Sequence, residues 1–483
     1  MARADVLIRD AMLYDGRGGV PAAGDLAIEG GRIAALGALS GWSATEEIRA
    51  EGLALAPGFI DVHTHDDRAV LATDMACKVS QGVTSVVVGN CGVSLSPLAA
   101  IGRVPPPLDL LGEPRDYAYP RFIDYIEALG RRGSATNVAA LIGHSTLRVG
   151  AMENLDRPAS RSEIWAMQEQ LVRSLGAGAI GFSTGLDYAP ARAAPTEEVM
   201  ALAGLLKQSG GIHTTHMRNE GDQVIEAMDE AFAIGKAADV PVVISHFKVA
   251  GRANFGRSTE TLAKFDQART EQTLALDAYP YPASSTVLKT DYALESVRVL
   301  VTWSKAEPKL AGRWLDEIAR DWGVDQRQAA ERLQPAGAVY FSMDEGDVRR
   351  ILAYPETMIG SDGLPHDTHP HPRLWGAFPR VLGHYARREK LFSLEEALRR
   401  MTALPAARFG LAGRGLLAEG AAADLVLFDP ARVEDRATFE QPTLPAAGIA
   451  RTLVNGRTVW QDGQTTGERP GVLLRRTAER GAT

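Results

Sequence analysis

Residues 58–65 read GFIDVHTH. Phe59, Ile60 and Val62 form an apolar run with little polar alternation, and the stretch then ends in two histidines. Runs of this kind suit strands buried on both faces, as in a parallel sheet. Seven more follow: TSVVVGNC (84–91), NVAALIGHS (137–145), AIGFSTGL (179–186), GIHTTHM (211–217), VPVVISHF (240–247), LALDAYPY (274–281) and ETMIGSDG (356–363). Helical stretches lie between several of them, among them RSEIWAMQEQLVRSLGAG (161–178) and GDQVIEAMDEAFAIGKAADV (221–240). Eight strand–helix units close naturally into an α/β (β/α)8 barrel of the TIM type, here expected over residues 57–410.

The two ends read differently. ADVLIRDAMLYDG (4–16), DLAIEGGRIAALG (25–37), AADLVLFDP (422–430) and ARTLVNGRTVWQDG (450–463) alternate apolar and polar residues between glycine turns. That pattern predicts half-buried antiparallel strands, and a small β-domain built jointly from residues 1–56 and 411–483. Residues 286–342 lie between the seventh and eighth runs and read as an inserted helical subdomain. An insertion after the C-terminal end of a strand overhangs the mouth of the barrel, where it is placed to act as a lid.

Composition narrows the function. The chain has 483 residues, 45% of them hydrophobic, and a formal net charge of −8. No basic stripe marks a nucleic-acid partner. No apolar run reaches the roughly 18 residues of a membrane helix. The first residues lack the apolar core of a signal peptide. Two cysteines in such a chain make no disulfide framework. The expectation is a cytoplasmic protein with a small-molecule partner and no membrane or nucleic-acid partner; the oligomeric state is not legible.

Chemistry-bearing residues gather at the ends of the runs. His63 and His65 end the first, Cys91 the second, His144 the third, His246 the sixth and Asp362 the eighth, while His213 and His216 lie in the fifth. In a barrel these ends converge on one mouth. Histidines at i and i+2 share a face of a strand, and the eighth strand adjoins the first, which brings Asp362 towards His63 and His65. The fifth and sixth strands are neighbours, which brings His216 towards His246. Imidazole, carboxylate and thiolate are all zinc ligands. Cys91 sits past its strand, in a turn between Gly89 and Gly92, whereas Cys77 lies on an apparent helix and reads as a packed core residue. The fourth run has no lysine that could be carboxylated into a bridging ligand. The Cys91 thiolate can supply an anionic donor instead, and His216 and His246 complete a three-ligand site that leaves a position for water.

Together these motifs resemble the N-acyl-D-amino-acid deacylases (D-aminoacylases) of the amidohydrolase superfamily. The match is carried by PGFIDVHTHDD, GNCGVSLSP, STGLDYAP, THMRNE, ISHFK, DAYPYPASST, GSDGLPHDTHPHPRLWGAFPRVLG and GAAADLVLFDP, and it covers essentially the whole chain. The resemblance implies a tightly held zinc on Cys91, His216 and His246. It also implies a second, weaker metal position on His63, His65 and Asp362. It implies substrate contacts from Lys248, Tyr188, Tyr279 and Ser285, chiefly to a carboxylate, with Arg373 as a further candidate. The preference for the D enantiomer is implied by the resemblance alone.

The expected reaction is zinc-dependent hydrolysis of an N-acyl-D-amino acid, with Asp362 as general base and acid. Tyr340 and Met343 are candidates to line an apolar side-chain pocket, and Asp187 favours a polar or cationic side chain instead. His144, His213, His366, His369 and His371 are left between support of the site and structural roles, and Arg218 and Glu220 between function and an ion pair. The alternatives are an amidohydrolase for cyclic amides or N-acetyl sugars, and a non-catalytic binding barrel. The missing fourth-strand lysine argues against the cyclic-amide class, and the complete ligand set argues against the binding barrel.

Overall fold

The computed structural model describes residues 2–100 and 102–477. All eight runs form parallel strands of one sheet, in sequence order: Phe59–Asp61, Val83–Val88, Asn137–Gly143, Gly181–Gly185, Ile212–His216, Val242–Ile244, Leu274–Ala278 and Thr357–Ile359. Every residue of these strands is buried, so both faces are covered. Ile60, Val87, Leu141, Ile212, Val243, Ala275 and Met358 fill the barrel interior. Val86, Val138, Phe182, Val242, Leu276 and Ile359 pack in the larger cluster that also contains the helix residues Met167, Leu171, Met228 and Leu262.

The seam between the eighth and first strands is closed by few bonds. Thr64 bridges Gly363 in parallel, and the Asp362 amide donates to the His63 carbonyl at 2.8 Å. Side chains do the rest. The fully buried Lys78 donates from Nζ to Asp61 Oδ2 at 2.8 Å and to Ser361 Oγ at 2.7 Å, and the Ser361 amide donates to Asp61 Oδ1 at 2.8 Å. A buried charge survives only where it is paired in this way.

The termini share a nine-stranded sheet. Ala2–Leu13 pairs antiparallel with Ala22–Glu29, and Leu425–Phe428 pairs antiparallel with Ala54–Pro57. The expectation of antiparallel strands needs one correction: Ala2–Leu13 runs parallel to both Trp42–Arg49 and Ala54–Pro57. Alternation reports half-burial, which is the same in either direction of pairing.

The insertion is also richer than a set of helices. Helices Thr290–Glu295, Leu315–Trp322 and Gln326–Leu333 are joined by a three-stranded antiparallel sheet, with Ala336–Tyr340 between Ser284–Val287 and Val299–Ser304. This unit has its own core of Leu288, Val301, Leu315, Ile318, Leu333 and Tyr340. No helix among the described residues is long and apolar enough to cross a membrane.

Candidate metal centre

The turn after the second strand aims Cys91 into the barrel mouth. Cys91 has φ of 54°, and Gly89 and Gly92 have φ of 79° and 73°. The glycines are needed for space as well as for conformation. A Cβ at Gly89 would lie 2.1 Å from the Leu141 carbonyl oxygen, and one at Gly92 would lie 2.7 Å from the Gly185 nitrogen. His246 and Asp362 share the left-handed backbone, at φ of 36° and 51°. Non-glycine residues pay for that conformation, and such strain concentrates at functional sites. Here it turns three donor side chains off the strand axis and across the mouth.

Two donor groups result, each with its candidate ligand atoms within 4.8 Å of one another: Cys91, His216 and His246, and His63, His65, Cys91 and Asp362. Cys91 Sγ belongs to both. It lies 3.1 Å from His63 Nε2 and 3.3 Å from His246 Nε2. His216 Nδ1 approaches His246 Nε2 to 2.9 Å. Asp362 Oδ1 lies 3.5 Å from His63 Nε2 and 3.3 Å from His65 Nε2. All six residues are buried. Convergence of buried imidazole, thiol and carboxylate without other purpose is costly. A soft thiolate with imidazoles suits zinc far better than magnesium or calcium, so the residues present fit a zinc centre.

The charges agree with that fit. Burial opposes ionisation of Cys91, but His63 and His246, with hydrogen bonds from His216 and His246, hold its thiol well below the usual range. Cys77 shows the contrast: burial, then Asp66, pushes it up to about 12. Burial likewise opposes charge on Asp362, but Arg373, then His63 and His65, hold its carboxyl well below the usual carboxylate range.

A ring of supporting groups surrounds the donors. Asp277 Oδ1 accepts from the His246 amide at 2.9 Å and lies 3.4 Å from His63 Nδ1, so one carboxylate braces both groups. Asp277 sits inside an apolar strand run, and that misplaced charge was the available sign of its role. Glu220 pairs with Lys248, with Oε1 at 2.7 Å from Nζ. Arg218 pairs instead with Glu230 at 2.8 Å, so the Arg218–Glu220 ion pair considered from sequence does not form.

The substrate candidates cluster beside the donors. Lys248 lies 5.9 Å and Arg373 4.5 Å from the centre of the Tyr279 ring. Arg373 Nη1 lies 2.9 Å from Asp362 Oδ2, and Nη2 donates to the Ser285 carbonyl at 3.0 Å. The Tyr279 hydroxyl and Ser285 Oγ are buried without a hydrogen-bond partner, as suits donors that complete their bonds on a ligand. The Tyr188 hydroxyl meets Thr286 Oγ1 at 3.1 Å, and the Tyr188 ring lies 4.8 Å from that of His216. Asp187 binds Lys289 and accepts from the Tyr292 hydroxyl at 2.6 Å.

Tyr340 spends its hydroxyl on the Val287 carbonyl at 2.8 Å. Met343 lines a small cleft with Phe247, Tyr279 and Ile351. The remaining histidines have other partners or surroundings. His144 meets Glu198 at 3.0 Å, His213 meets Thr184 at 3.1 Å, and His369 and His371 reach the carbonyls of Phe439 and Ala283 at 2.7 and 3.0 Å. His366 lines a separate cleft against the insertion, with Arg68, Asp109 and Trp303.

Comparison with known proteins gives a consistent picture. A model of the amidohydrolase family matches residues 46–460. The chain is 54% identical to a D-aminoacylase of Alcaligenes xylosoxydans xylosoxydans over 475 residues, covering 98% of each protein. It is 50% identical to an N-acyl-D-aspartate deacylase of the same organism, covering 98% of this chain and 95% of that protein. A solved D-aminoacylase whose binuclear centre is described as showing one-metal activation and second-metal attenuation superposes with a TM-score of 0.96 at 52% identity, covering 98% of this chain and 100% of that one. An N-acyl-D-glutamate deacylase from Bordetella bronchiseptica, solved with zinc and a phosphonate mimic of the tetrahedral intermediate, superposes with a TM-score of 0.95 at 47% identity, with the same coverage.

Proposed function

The chain belongs to the amidohydrolase family and, within it, to the D-aminoacylases, and from that premise we propose how its own residues carry out the reaction. It is a metal-dependent amidohydrolase that uses zinc and cleaves N-acyl-D-amino acids into a carboxylate and a free D-amino acid. We assign the tight zinc to Cys91, His216 and His246, and the weaker second position to His63, His65 and Asp362. When bound there, zinc supplies Lewis acidity that polarises the amide carbonyl and acidifies water. Asp362 takes the proton of the attacking water as the C–O bond forms, and returns it to the leaving nitrogen as the C–N bond then breaks. Arg373 keeps Asp362 ionised and in place between turnovers. Lys248, the Tyr279 hydroxyl, Ser285 Oγ and Arg373 hold the substrate carboxylate, and Tyr188 packs against the reacting end. The observation that carries this reading is the meeting of a buried thiol, four imidazoles and a carboxylate from five strand ends, beside two cations and two unpartnered hydroxyls.

For the side chain we favour neutral groups over Asp or Glu. A cavity of about 120 Å³ opens beside Lys248, lined by Glu220, Asp222, Tyr292, Glu295 and Tyr340 among others. Three cations around the mouth already face carboxylates: Lys248 with Glu220, Lys289 with Asp187, Arg373 with Asp362. An acidic side chain would enter this lobe against like charge. The test is amine release from a panel of N-acetyl-D- and N-acetyl-L-amino acids, with zinc measured on the same sample. Neutral D substrates should exceed D-Asp and D-Glu by about tenfold or more in kcat/KM, about 1.4 kcal/mol. Preference for an acidic substrate would overturn the side-chain assignment. No release from any D substrate by zinc-loaded protein would overturn the activity.

A further inference from the structure

We infer that Glu220 is a positioning residue that ties the tight zinc site to the substrate anchor. The inference rests on the assignment of Cys91, His216 and His246 to that zinc. His246 turns Nε2 towards Cys91 Sγ at 3.3 Å and towards His216 Nδ1 at 2.9 Å. These are the inner nitrogens, so the proton of each neutral ring belongs on the outer one. The outer nitrogen of His246, Nδ1, lies 3.0 Å from Glu220 Oε1. The outer nitrogen of His216, Nε2, is buried without a hydrogen-bond partner, and Glu220 Oε2 is 3.8 Å away. Glu220 therefore places a carboxylate oxygen beside His246 Nδ1, where its charge favours the proton on that nitrogen, and contributes negative charge behind His216.

The same carboxylate oxygen holds Lys248. Oε1 accepts from Nζ at 2.7 Å, and a second Nζ proton goes to the His246 carbonyl at 3.0 Å. An ammonium has three donors. Nζ also lies 2.8 Å from His246 Nδ1, but that nitrogen carries a proton when Nε2 is the ligand, so the contact is not a bond. One Nζ proton is left for a substrate carboxylate. Glu220 is thus the common partner of a zinc ligand and of the residue that anchors the substrate. It comes from the segment after the fifth strand, while both of its partners follow the sixth, so it also pins those two strand ends together.

Two consequences separate this role from plain structural support. Removing the charge should loosen zinc, and it should not weaken binding of the substrate carboxylate, because a neighbouring negative charge disappears. The experiment measures the zinc dissociation constant by competition with a chromophoric chelator, together with steady-state kinetics at saturating zinc, for Glu220→Gln, Glu220→Asp and Cys91→Ala. Loss of a carboxylate behind a ligating histidine typically costs about 10- to 100-fold in metal affinity, and that loss is expected for Glu220→Gln. Its kcat should fall while KM stays level or drops. Glu220→Asp keeps the charge but shortens the arm, and should fall between the two. If Cys91→Ala holds zinc as tightly as the parent, the ligand assignment itself has failed. If Cys91→Ala loses zinc but Glu220→Gln binds it within threefold of the parent, the inference about Glu220 is wrong. Should Glu220→Gln not fold, parent-like zinc affinity in Glu220→Asp would overturn it equally.

Discussion

Replacing Cys91 with alanine separates two explanations that differ by orders of magnitude. Cys91 is 2% exposed. If it only fills space, truncation removes one buried sulfur and costs on the order of 1 kcal/mol of stability, with zinc unaffected. If it is a ligand, the loss is of another size. Protein zinc sites of four donors are worth about 10–16 kcal/mol, or roughly 2.5–4 kcal/mol per donor. Losing one therefore weakens binding by about 100- to 1,000-fold at 1.4 kcal/mol per decade. The true cost should sit at the upper end, because Cys91 is the sole thiol of the site and lies in contact with donors of both groups. The assay is zinc retained after dialysis against graded chelator, paired with thiol labelling. Cys91 should resist alkylation in the holo protein and react after chelation. Cys77, pushed up to about 12 by burial, should stay unreactive in both. Full zinc retention by Cys91→Ala, or labelling of Cys91 that ignores chelator, refutes the reasoning.

Asp362→Asn should keep tight zinc while kcat falls by about 100- to 10,000-fold; the two are read by metal analysis and steady-state kinetics, and parent-like turnover would remove Asp362 as the proton carrier. Lys248→Ala should mainly raise KM; a substrate whose carboxylate is amidated should be poor for the parent and almost indifferent to the change, and equal sensitivity of both substrates would assign Lys248 a structural role. Away from the mouth, burial opposes charge on Glu198, but His144 and Arg148 bring it down to about 2. Its folded value lies below its unfolded one, so its stabilisation is present above about pH 4.5 and is lost as pH falls towards 2. Glu198→Gln should lower stability to urea near neutrality and narrow the difference from the parent on acidification; a constant difference from pH 7 to 3 would contradict that account.

The barrel was legible because its strands are covered on both faces, which leaves continuous apolar runs such as VTSVVV, and because polar residues mark where each run meets the mouth. The six metal-ligand candidates were legible for the same reason, and the structure brings them together in two groups. What sequence did not carry is pairing between distant side chains. Glu220 has Arg218 two residues away, but the fold gives it Lys248 and gives Arg218 to Glu230. Asp277 and Lys78 are charges within or beside apolar stretches, and their partners come from other strands. The left-handed backbone at Cys91, His246 and Asp362 was hidden too, since none of these is glycine. The sheet within the insertion escaped because its strands are short and interleaved with helices of ordinary composition.

The order of the donors along the chain has a consequence for biosynthesis. Cys91, His216 and His246 come from the second, fifth and sixth strands, which lie within one unbroken run of the sheet. The other group needs His63 and His65 from the first strand and Asp362 from beyond the eighth, across the sparsely bonded seam. A nascent chain that has emerged a little past Phe247 already carries Cys91, His216 and His246, with the insertion and the last strand still to be made. The group of His63, His65 and Asp362 closes only when the last strand arrives, so its formation reports completion of the ring.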